Sequence, residues 1–365
     1  MITALDARKL LDGGIGAYIR GLLDAFAREP AGDPVVALAD PAHLRRVLAR
    51  GSVRVAPVRA GKYGIAEHLV VPKAARAAGA ALLHEPHYTL PLGWSGAAVV
   101  TVHDLIHLRY PQFFRPGVAW YARAMAGQAV RRAAVVITDS EAVRRDVIDE
   151  LDAPADRVRA IPLGVSTAFA PAEPRALTAF RSRHGLPHDY VLYVGARKRH
   201  KNLQLLLDAW ATMRPAERPA LVLSGAPWSS SDPLARHAGA RAVEGSVRFV
   251  PHVSEDRELA QLYSGAALYA QPSLAEGFGL PPLEAMACGT PVLSSDAGSL
   301  PEVLGGAARL LPPRDPEAWA AQVRDLLANS RERERLAALG LARAAQFKWE
   351  KTAAATREAY TDAVR

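Results

Sequence analysis

The chain has 365 residues, of which 50% are hydrophobic and 22% are charged, and this composition excludes a disordered or fibrous protein. Lysine and arginine outnumber the acidic residues 45 to 37, and the net charge of +8 favours anionic partners such as nucleotide diphosphates, nucleic acids or acidic lipid headgroups. The single cysteine, Cys288, excludes an internal disulfide. No apolar run reaches the roughly 18 residues that span a bilayer, and no signal peptide is apparent. We therefore expect a cytoplasmic protein that can touch the inner face of the membrane.

Short apolar segments alternate with longer helical patterns along the whole chain. In the first half, strands are predicted at Ile2–Leu5, Val35–Ala39, Ala80–His84, Ala98–Val102, Val135–Thr138 and Val158–Ile161. In the second half, strands are predicted at Tyr190–Val194, Ala220–Ser224, Val247–Val250, Ala267–Ala270, Val292–Ser294 and Arg309–Leu311. Strands that are apolar on both faces are typical of parallel sheets covered by helices. The two series predict two doubly wound α/β domains, joined by the proline-punctuated linker Phe169–Pro174.

A glycine loop that includes Gly14 and Gly16 follows the first strand and leads into an amphipathic helix. One interpretation is a dinucleotide-binding loop, because Asp40 ends the second strand where a ribose-binding acid would lie. Against it, the fingerprint requires glycine directly after the strand, and Ile19 occupies the place of the third small residue. A turn with a helix cap remains an alternative.

The next polar motif is His103-Asp104, at the carboxyl end of a predicted strand, where open α/β sheets bind ligands. A histidine there can bind a sugar hydroxyl or transfer a proton, and Asp104 can orient it or cap the loop. A metal-dependent phosphohydrolase would need further ligands at helical spacing, and the nearby histidines form no such set: His84, His87 and His107. No metal site is predicted.

The helical stretch Arg115–Arg132 combines arginines with aromatic residues. Such a surface suits an acceptor or an anionic lipid surface, but a helix with a solvated arginine face explains it equally well. The following segment, Thr138–Glu141, predicts a helix start in which Ser140 is the N-cap. The acids Asp139 and Glu141 are favourable at the positive end of that helix.

The second domain starts with a buried strand that ends in glycine, followed by a loop with four cations before the next helix: Arg197, Lys198, Arg199 and Lys201. Arginine can clamp two phosphate oxygens and lysine supplies a point charge, so this loop predicts a pyrophosphate site. Cations at a helix N-terminus oppose the helix dipole unless an anion joins them.

The most informative stretch is Ser273–Val292, in which seven residues separate Glu276 from Glu284. Glu276 precedes a Gly-Phe-Gly turn, and we predict Glu284 in the first turn of a short helix opened by a proline and ended near Gly289. Free backbone N–H groups at that helix start suit a phosphate or sugar oxygen. A glycine turn before a core helix is the structural alternative.

The sequence EGFGLPPLEAMACGTPV, with its Glu-x7-Glu spacing, resembles the signature of family-4 glycosyltransferases. The resemblance extends along nearly the whole chain and is specific in this motif. It implies a GT-B architecture of two Rossmann-like α/β domains facing across a cleft. The expected domains are an acceptor-side domain (1–170), a nucleotide-sugar-binding domain (171–348) and a final helix (349–365) that packs back on the first domain.

The resemblance also implies site residues. Gly14 and Gly16 would reach toward the donor, His103 would face the transferred sugar, and Lys201 with Arg197 would bind the diphosphate, although Arg199 competes with Arg197. The remaining expected site residues are the backbone N–H groups of Phe278, Gly279 and Leu280 for the diphosphate, Glu284 for the ribose, and Glu276 near the sugar in an electrostatic and positioning role.

The sequence is therefore interpreted as a retaining, metal-independent glycosyltransferase without a cofactor. Departure of a nucleoside diphosphate builds up negative charge that cations and backbone donors can neutralise. The residues of these motifs are most similar to those of mannosyltransferases of bacterial polysaccharide assembly. This resemblance favours GDP-mannose as donor and a saccharide or lipid-linked acceptor. Three alternatives remain: a nucleotide-sugar epimerase or a phosphorylase of the same fold, an NAD-dependent enzyme, or a non-catalytic nucleotide- or nucleic-acid-binding protein. No nucleic-acid-binding signature supports the last of these.

Overall fold

The structure is a computed structural model, and it describes residues 1–29, 33–43, 53–62, 64–225, 229 and 231–365. The chain divides into two compact units. Unit 1 comprises Met1–Gly164 together with Lys348–Arg365, and unit 2 comprises Val165–Phe347. The chain thus leaves unit 1 after Gly164, whereas the sequence placed the boundary after residue 170.

Unit 1 is built on a parallel sheet, as the apolar strands predicted. Its described strands are β1 Thr3–Asp6, β2 Val35–Ala39, β3 Arg54–Pro57, β4 Leu82–Glu85, β5 Ala97–Val102, β6 Val135–Thr138 and β7 Val158–Ala160. They are ordered β3-β2-β1-β4-β5-β6-β7. The order reverses direction at β1, so β1 and β4 flank the switch point where such sheets bind ligands at their carboxyl ends.

One strand of this sheet, β3, was not predicted from the sequence. Its residues Arg54–Pro57 are mostly exposed, since β3 lies at the sheet edge and pairs only with β2 in the described residues. An exposed edge strand lacks the apolar run by which the other strands were predicted.

Helices cover the sheet of unit 1. The described α-helices are Gly13–Arg28, Glu67–Ala77, Ile106–Arg109, Val118–Arg132, Glu141–Leu151 and Trp349–Asp362. The last of these helices follows unit 2 in sequence but packs against unit 1. Gly21 leaves room for this contact, because a Cβ atom at position 21 would lie only 2.1 Å from the Trp349 ring. The Thr352 hydroxyl also donates to the Pro162 carbonyl at 2.7 Å.

Unit 2 repeats the plan with a second parallel sheet. Its described strands are β8 Tyr190–Val194, β9 Ala220–Gly225, β10 Val247–Pro251, β11 Leu268–Gln271, β12 Val292–Ser295 and β13 Ala308–Leu311, in the order β10-β9-β8-β11-β12-β13. Its described α-helices are Pro174–His184, Leu203–Thr212, Pro233–Ala240, Asp256–Ser264, Leu280–Ala287, Leu300–Leu304, Pro316–Ala328 and Ser330–Ala344. Two doubly wound α/β units are therefore confirmed. No helix in the described part of the chain is long and apolar enough to cross a membrane.

The helix within the signature stretch spans Leu280–Ala287 and is followed by Gly289 in a left-handed conformation, as predicted. Its start was predicted one or two residues too late, at Pro281 or Pro282. The helix already begins at Leu280, so Glu284 lies in its second turn rather than its first. Gly279 is the N-cap and has φ +100°, a conformation that glycine adopts without strain.

Candidate active site

In unit 2, the cation-rich loop after β8 lies against the signature turn. Residues Arg199–Lys201 form a single 3₁₀ turn, and Asn202 then adopts φ +57°. The Asn202 side-chain amide donates to the Pro272 carbonyl at 3.0 Å and to the Pro313 carbonyl at 2.8 Å. This clamp ties the loop after β8 to the carboxyl ends of β11 and β13, and it fixes the position of Lys201.

Lys201 reaches Glu276 directly. Its ammonium group donates to both carboxylate oxygens, at 2.8 Å to Oε1 and 2.7 Å to Oε2. Oε1 also accepts hydrogen bonds from the Gln271 amide at 2.7 Å and the Ser273 hydroxyl at 2.6 Å. Burial would raise the pKa of Glu276, but the Lys201 charge and these hydrogen bonds outweigh burial, and its pKa is lowered. Glu276 is therefore an ionised carboxylate with four hydrogen bonds.

The backbone of the signature turn is equally constrained. The Glu276 carbonyl accepts from the Ser299 backbone N–H at 3.2 Å and from its hydroxyl at 3.1 Å. Gly298 passes so close to this turn that a Cβ there would lie 2.6 Å from the Glu276 carbonyl oxygen. The loop after β12 therefore fixes the position of the backbone turn that leads to Phe278.

The diphosphate-binding group predicted at Phe278–Leu280 is the start of a helix, where backbone N–H groups have no partner within the helix. The Phe278 side chain is buried and packs edge-on against Phe347, with ring centroids 5.7 Å apart. Its side chain therefore holds the turn in place, and only its backbone is suited to bind an anion.

Arg197 has an acidic partner. Its guanidinium lies 3.0 Å from Asp232, and both side chains are largely shielded from solvent. Asp232 is also the N-cap of helix Pro233–Ala240, where it accepts from the Leu234 backbone N–H at 2.9 Å. Arg199, the alternative diphosphate ligand, is exposed. Diphosphate binding by Arg197 remains a prediction, and it would require an exchange of partners.

Glu284 is oriented by a buried tyrosine. The Tyr263 hydroxyl donates to Glu284 Oε2 at 2.9 Å, and Tyr263 is fully buried between strand β11 and helix Leu280–Ala287. Burial, with the Glu284 charge, raises the pKa of Tyr263 well above its usual value. The tyrosine therefore stays a donor. Tyr263 was not predicted from the sequence, because nothing in a helix of mixed composition indicates which hydroxyl faces a carboxylate.

In unit 1, His103 is paired with Asp139 and not with its neighbour Asp104. Nδ1 of His103 lies 2.7 Å from Asp139 Oδ2, and Nε2 lies 3.2 Å from the Pro86 carbonyl oxygen. Asp104 instead accepts from the Ile106 backbone N–H at 3.0 Å, which is the capping role. The prediction of Ser140 as N-cap is confirmed, since it accepts from Val143. Asp139, one residue earlier, was expected only to stabilise that helix end.

The protonation of His103 follows from its partners. A carbonyl oxygen only accepts, so Nε2 carries a hydrogen, and one further proton lies between Nδ1 and Asp139. Burial would lower the pKa of His103, but the Asp139 charge and hydrogen bond outweigh burial and raise it. Burial raises the pKa of Asp139 despite the attraction of His103. The pair therefore holds its proton to a higher pH than a free histidine would.

A buried network of ring contacts and hydrogen bonds packs against the His103 side chain. The Tyr18 ring meets the His103 ring edge-on, with centroids 5.0 Å apart, and its hydroxyl lies 3.1 Å from the Thr101 hydroxyl. The two ring nitrogens of His84 are hydrogen-bonded to the Thr101 hydroxyl at 2.8 Å and to the Tyr360 hydroxyl at 2.7 Å. Burial lowers the pKa of His84 to about 3, so this histidine is neutral. His103 is thereby linked to the C-terminal helix.

The glycine loop has different requirements at its two predicted positions. A Cβ at Gly16 would lie 2.5 Å from the Leu10 carbonyl oxygen, so backbone packing alone requires glycine there. A Cβ at Gly14 would meet nothing within 4 Å. Gly14 is thus the position where glycine leaves open space for a ligand, and donor contact by either residue remains a prediction.

The described side chains include no group of three or more histidines, cysteines or acids arranged to hold a metal ion.

Comparison with known proteins decides the family. The family described as "Glycosyl transferases group 1" matches residues 178–341, and the one described as "Glycosyltransferase Family 4" matches residues 12–169. The O-antigen chain mannosyltransferase B of Escherichia coli is 33% identical over 76% of this chain and 74% of its own length. The chain belongs to glycosyltransferase family 4.

Other relatives and solved structures agree with this assignment. A D-inositol 3-phosphate glycosyltransferase of Kineococcus radiotolerans is 32% identical over 97% of this chain and 91% of its own length. Among structures, sucrose-phosphate synthase from Thermosynechococcus elongatus has a TM-score of 0.78 at 25% identity, covering 99% of this chain and 98% of that protein. HepE of Anabaena, solved in complex with UDP and glucose, has a TM-score of 0.78 at 21% identity, with 99% of both chains covered. The GT-B fold of this glycosyltransferase is therefore confirmed.

Proposed function

We propose that the protein is a retaining glycosyltransferase that moves a sugar from a nucleoside diphosphate donor to a saccharide or lipid-linked acceptor in bacterial glycan assembly. The observation that carries this proposal is the Lys201–Glu276 pair beside the N-terminus of helix Leu280–Ala287. It combines a cation, an ionised carboxylate and backbone donors in one part of unit 2. These are the groups needed to hold a diphosphate and to stabilise a positively charged sugar carbon.

The leaving group is the first requirement of the mechanism. When the anomeric C–O bond breaks, the electron pair goes to the diphosphate oxygen, and its added charge must be neutralised. We assign this task to Lys201, to Arg197 after exchange from Asp232, and to the backbone N–H groups of Phe278–Leu280. Loss of one such donor is expected to cost about 10²–10³ in rate, as at oxyanion sites.

Glu276 acts electrostatically in this proposal. Its carboxylate already accepts four hydrogen bonds, so its lone pairs are poorly placed for attack on the sugar carbon. An ionised carboxylate nearby nevertheless stabilises the positive charge that develops at that carbon. This favours attack by the acceptor hydroxyl on the face from which the diphosphate leaves, with the departing phosphate taking the proton. Retention of configuration would follow.

Mannose from GDP-mannose is the proposed donor. Its support is the set of relatives named as mannosyltransferases, O-antigen chain mannosyltransferase B and the serotype-specific mannosyltransferase WbdA, the latter 30% identical over 76% of this chain. The D-inositol 3-phosphate glycosyltransferases and the UDP complex of HepE leave other sugars and UDP as alternatives. We further propose that no divalent metal is required, and that the enzyme works in the cytoplasm or at the inner membrane face.

Thermal unfolding with GDP, UDP, ADP and dTDP identifies the base, because a nucleotide bound only to the folded state raises the melting temperature by mass action. We expect GDP to give the largest shift. Transfer is then followed as product formation from the matching nucleotide-sugar, with and without EDTA, and the anomeric configuration is read by NMR. Stabilisation by NAD but by no nucleoside diphosphate would refute the proposal, and loss of transfer in EDTA would refute metal independence.

A further inference from the structure

Strand β11 ends in a buried glutamine that contacts the Glu276 carboxylate. Gln271 is the last residue of β11 and is only 1% exposed, and its amide Nε2 lies 2.7 Å from Glu276 Oε1. We propose that Gln271 is a positioning residue, which holds the Glu276 carboxylate in its working orientation while Lys201 binds the donor diphosphate. The inference rests on the proposed transferase function and adds a residue to the same site.

The two carboxylate oxygens of Glu276 have different partners. Among the described residues, Oε2 accepts a hydrogen bond from Lys201 alone, at 2.7 Å. Oε1 accepts from Lys201 at 2.8 Å, from Gln271 at 2.7 Å and from the Ser273 hydroxyl at 2.6 Å. A diphosphate competes with Glu276 for the Lys201 ammonium group. It does not compete for Gln271 or Ser273, because both side chains are buried.

These two buried donors keep the carboxylate fixed when Lys201 moves. The terminal torsion of a glutamate side chain has broad minima, so a carboxylate without a fixed partner adopts many orientations. Gln271 and Ser273 donate to the same oxygen of Glu276, and rotation of the carboxylate would break both hydrogen bonds. Oε1 is therefore the anchored oxygen, and Oε2 is the oxygen that Lys201 releases. Such an anchor matters because misplacing a reacting group by about 1 Å can cost roughly 10²-fold in rate.

The orientation of the Gln271 amide is fixed in turn by Tyr269, on the same strand. The Tyr269 hydroxyl lies 2.6 Å from Gln271 Oε1, and Tyr269 is fully buried. Burial, followed by the charges of Tyr193 and Glu276, raises the pKa of Tyr269 well above its usual value, so its hydroxyl keeps a proton to donate. A flipped amide would place Oε1 against the ionised Glu276, and two acceptors repel each other. The amide N–H groups of Gln271 therefore face Glu276.

Both N–H groups of the Gln271 amide serve this one carboxylate. One donates to Glu276 directly, and Nε2 also lies 2.7 Å from Ser273 Oγ. The single hydroxyl proton of Ser273 goes to Glu276, so Oγ accepts from Gln271. Burying an amide costs free energy unless it is hydrogen-bonded, and these contacts satisfy both of its donors. Gln271 thus holds Glu276 directly and through Ser273.

Gln271→Met is the first test, because it keeps the length of the side chain and removes the amide. The purified full chain is assayed with the nucleotide-sugar whose nucleotide stabilises the protein most and with methyl α-D-mannopyranoside as acceptor. We expect kcat to fall about tenfold or more. The Kd for the nucleotide should stay within about twofold, because Lys201 and the start of helix Leu280–Ala287 are unchanged. A purely structural role would lower the melting temperature and leave kcat as it was.

Gln271→Glu tests the donor role through pH. When protonated, the introduced carboxyl group can donate to Glu276 while Tyr269 donates to its other oxygen, as with the native amide. When ionised, it repels Glu276, and two neighbouring carboxyl groups retain a shared proton to a raised pKa. The ratio of kcat to that of the wild type should therefore rise about fivefold or more from pH 8 to pH 6. The same ratio should not rise in Gln271→Met, and its rising equally there would contradict the inference.

Tyr269→Phe tests the orientation of the amide and removes only a hydroxyl. It should lower kcat about threefold or more in the wild type and have no further effect in Gln271→Met, because Tyr269 acts through Gln271. An equal effect in both backgrounds would contradict this coupling. The matched control is Tyr190→Phe, which removes another buried tyrosine hydroxyl of unit 2, bonded to the Leu262 carbonyl at 2.7 Å, and should leave kcat unchanged.

The melting-temperature shift with nucleotide shows which variants are folded, and Gln271→Glu and Tyr269→Phe keep the test independent of Gln271→Met. Unchanged kcat in these folded variants, beside a wild type that transfers sugar, would overturn the inference and leave the transferase function intact. A wild type without nucleotide-sugar turnover would instead refute the proposed function, and the inference with it.

Discussion

Nζ of Lys201 lies within 2.8 Å of both carboxylate oxygens of Glu276. Two residues that were assigned to separate tasks, diphosphate binding and sugar stabilisation, are therefore each other's counter-ion. A diphosphate that approaches Lys201 must compete with Glu276 for its charge. The Lys201 charge keeps Glu276 ionised, although burial alone would raise the pKa of this carboxyl group.

Glu276→Gln is expected to lower kcat by about 10²–10³, since the neutral amide cannot stabilise positive charge at the sugar carbon. The Kd for the nucleotide should change little, because the variant leaves Lys201 and the helix N-terminus in place. Steady-state kinetics and calorimetric titration with the nucleotide measure the two effects. Glu317→Gln, an exposed acid of the same unit, is the matched control. Unchanged turnover in Glu276→Gln would remove its assigned role.

Asp232→Asn tests whether Arg197 is held back from the diphosphate. Asparagine is as good an N-cap as aspartate, so helix Pro233–Ala240 should persist, but Arg197 loses its counter-ion. We expect nucleoside diphosphate affinity to rise about fivefold, equivalent to about 1 kcal/mol for a partly exposed ion pair. Asp208→Asn removes an ion pair with Arg241 in the same unit and should have no such effect. A weaker or unchanged affinity in Asp232→Asn would exclude the exchange of partners.

Tyr263→Phe tests the orientation of Glu284. Removing the hydroxyl takes one hydrogen bond from the half-buried Glu284 carboxylate, and a hydrogen bond to a charged group contributes about 1.5–3 kcal/mol. If Glu284 binds the ribose, the donor KM should rise while kcat changes less than twofold. Comparison of the ribonucleotide with its 2′-deoxy form makes the test specific, because the variant should discriminate less between them. A purely structural role would lower the melting temperature and leave this discrimination intact.

Stability should depend on pH through the His103–Asp139 pair. The pKa of His103 is raised, so the contribution of its charged form is fully present below about pH 6.5 and is lost as pH rises through the raised value. Asp104 adds to this attraction, while His84 and His87, with pKa values lowered to about 3 and 2, remain neutral across the range.

Asp139→Asn should therefore lower the free energy of unfolding by about 1–3 kcal/mol at pH 6. The difference from wild type should shrink at pH 9. Urea unfolding at both pH values measures it. A constant difference would mean that the pair does not hold a proton.

Membrane contact is predicted for the helix Val118–Arg132, where Trp120 is 77% exposed and Arg115 lies just before the helix. An exposed tryptophan near arginine suits an anionic bilayer surface. We expect binding to vesicles containing phosphatidylglycerol and none to pure phosphatidylcholine, with about a threefold or greater loss in Trp120→Ser. Leu339→Ser, an exposed apolar residue of unit 2, is the control. Equal binding to both vesicle types would exclude electrostatic attachment.

The sequence predicted the sheets well because buried parallel strands have a strong signal. Strands such as β2 and β8 were predicted to the residue, and only the exposed edge strand β3 was missed among those described. The family resemblance implied that Lys201 and Glu276 belong to one donor site, and the structure places their loops at the carboxyl ends of adjacent strands, β8 and β11.

The partners of these residues could not be predicted in the same way. Asp139 lies far from His103 in sequence, and its acid was explained equally well by the helix that it precedes. Asp232 was likewise explained by an N-cap, and nothing in the sequence revealed its second contact with Arg197. When a neighbouring helix already explains a side chain, the sequence gives no sign that the side chain also contacts a residue far away in the chain. The sequence left open whether Asp104 orients His103 or caps the loop; in the structure Asp104 caps the loop and Asp139 pairs with His103.

The helix that begins at Trp349 has a consequence for biosynthesis. Because Gly21 receives the Trp349 ring and His84 receives the Tyr360 hydroxyl, unit 1 lacks its final layer until the ribosome has passed through all of unit 2. During translation, unit 1 therefore remains incomplete. The apolar groove that receives Trp349 and the otherwise buried His84 stay uncovered. A chain released before residue 349 would leave both of these contacts unmade.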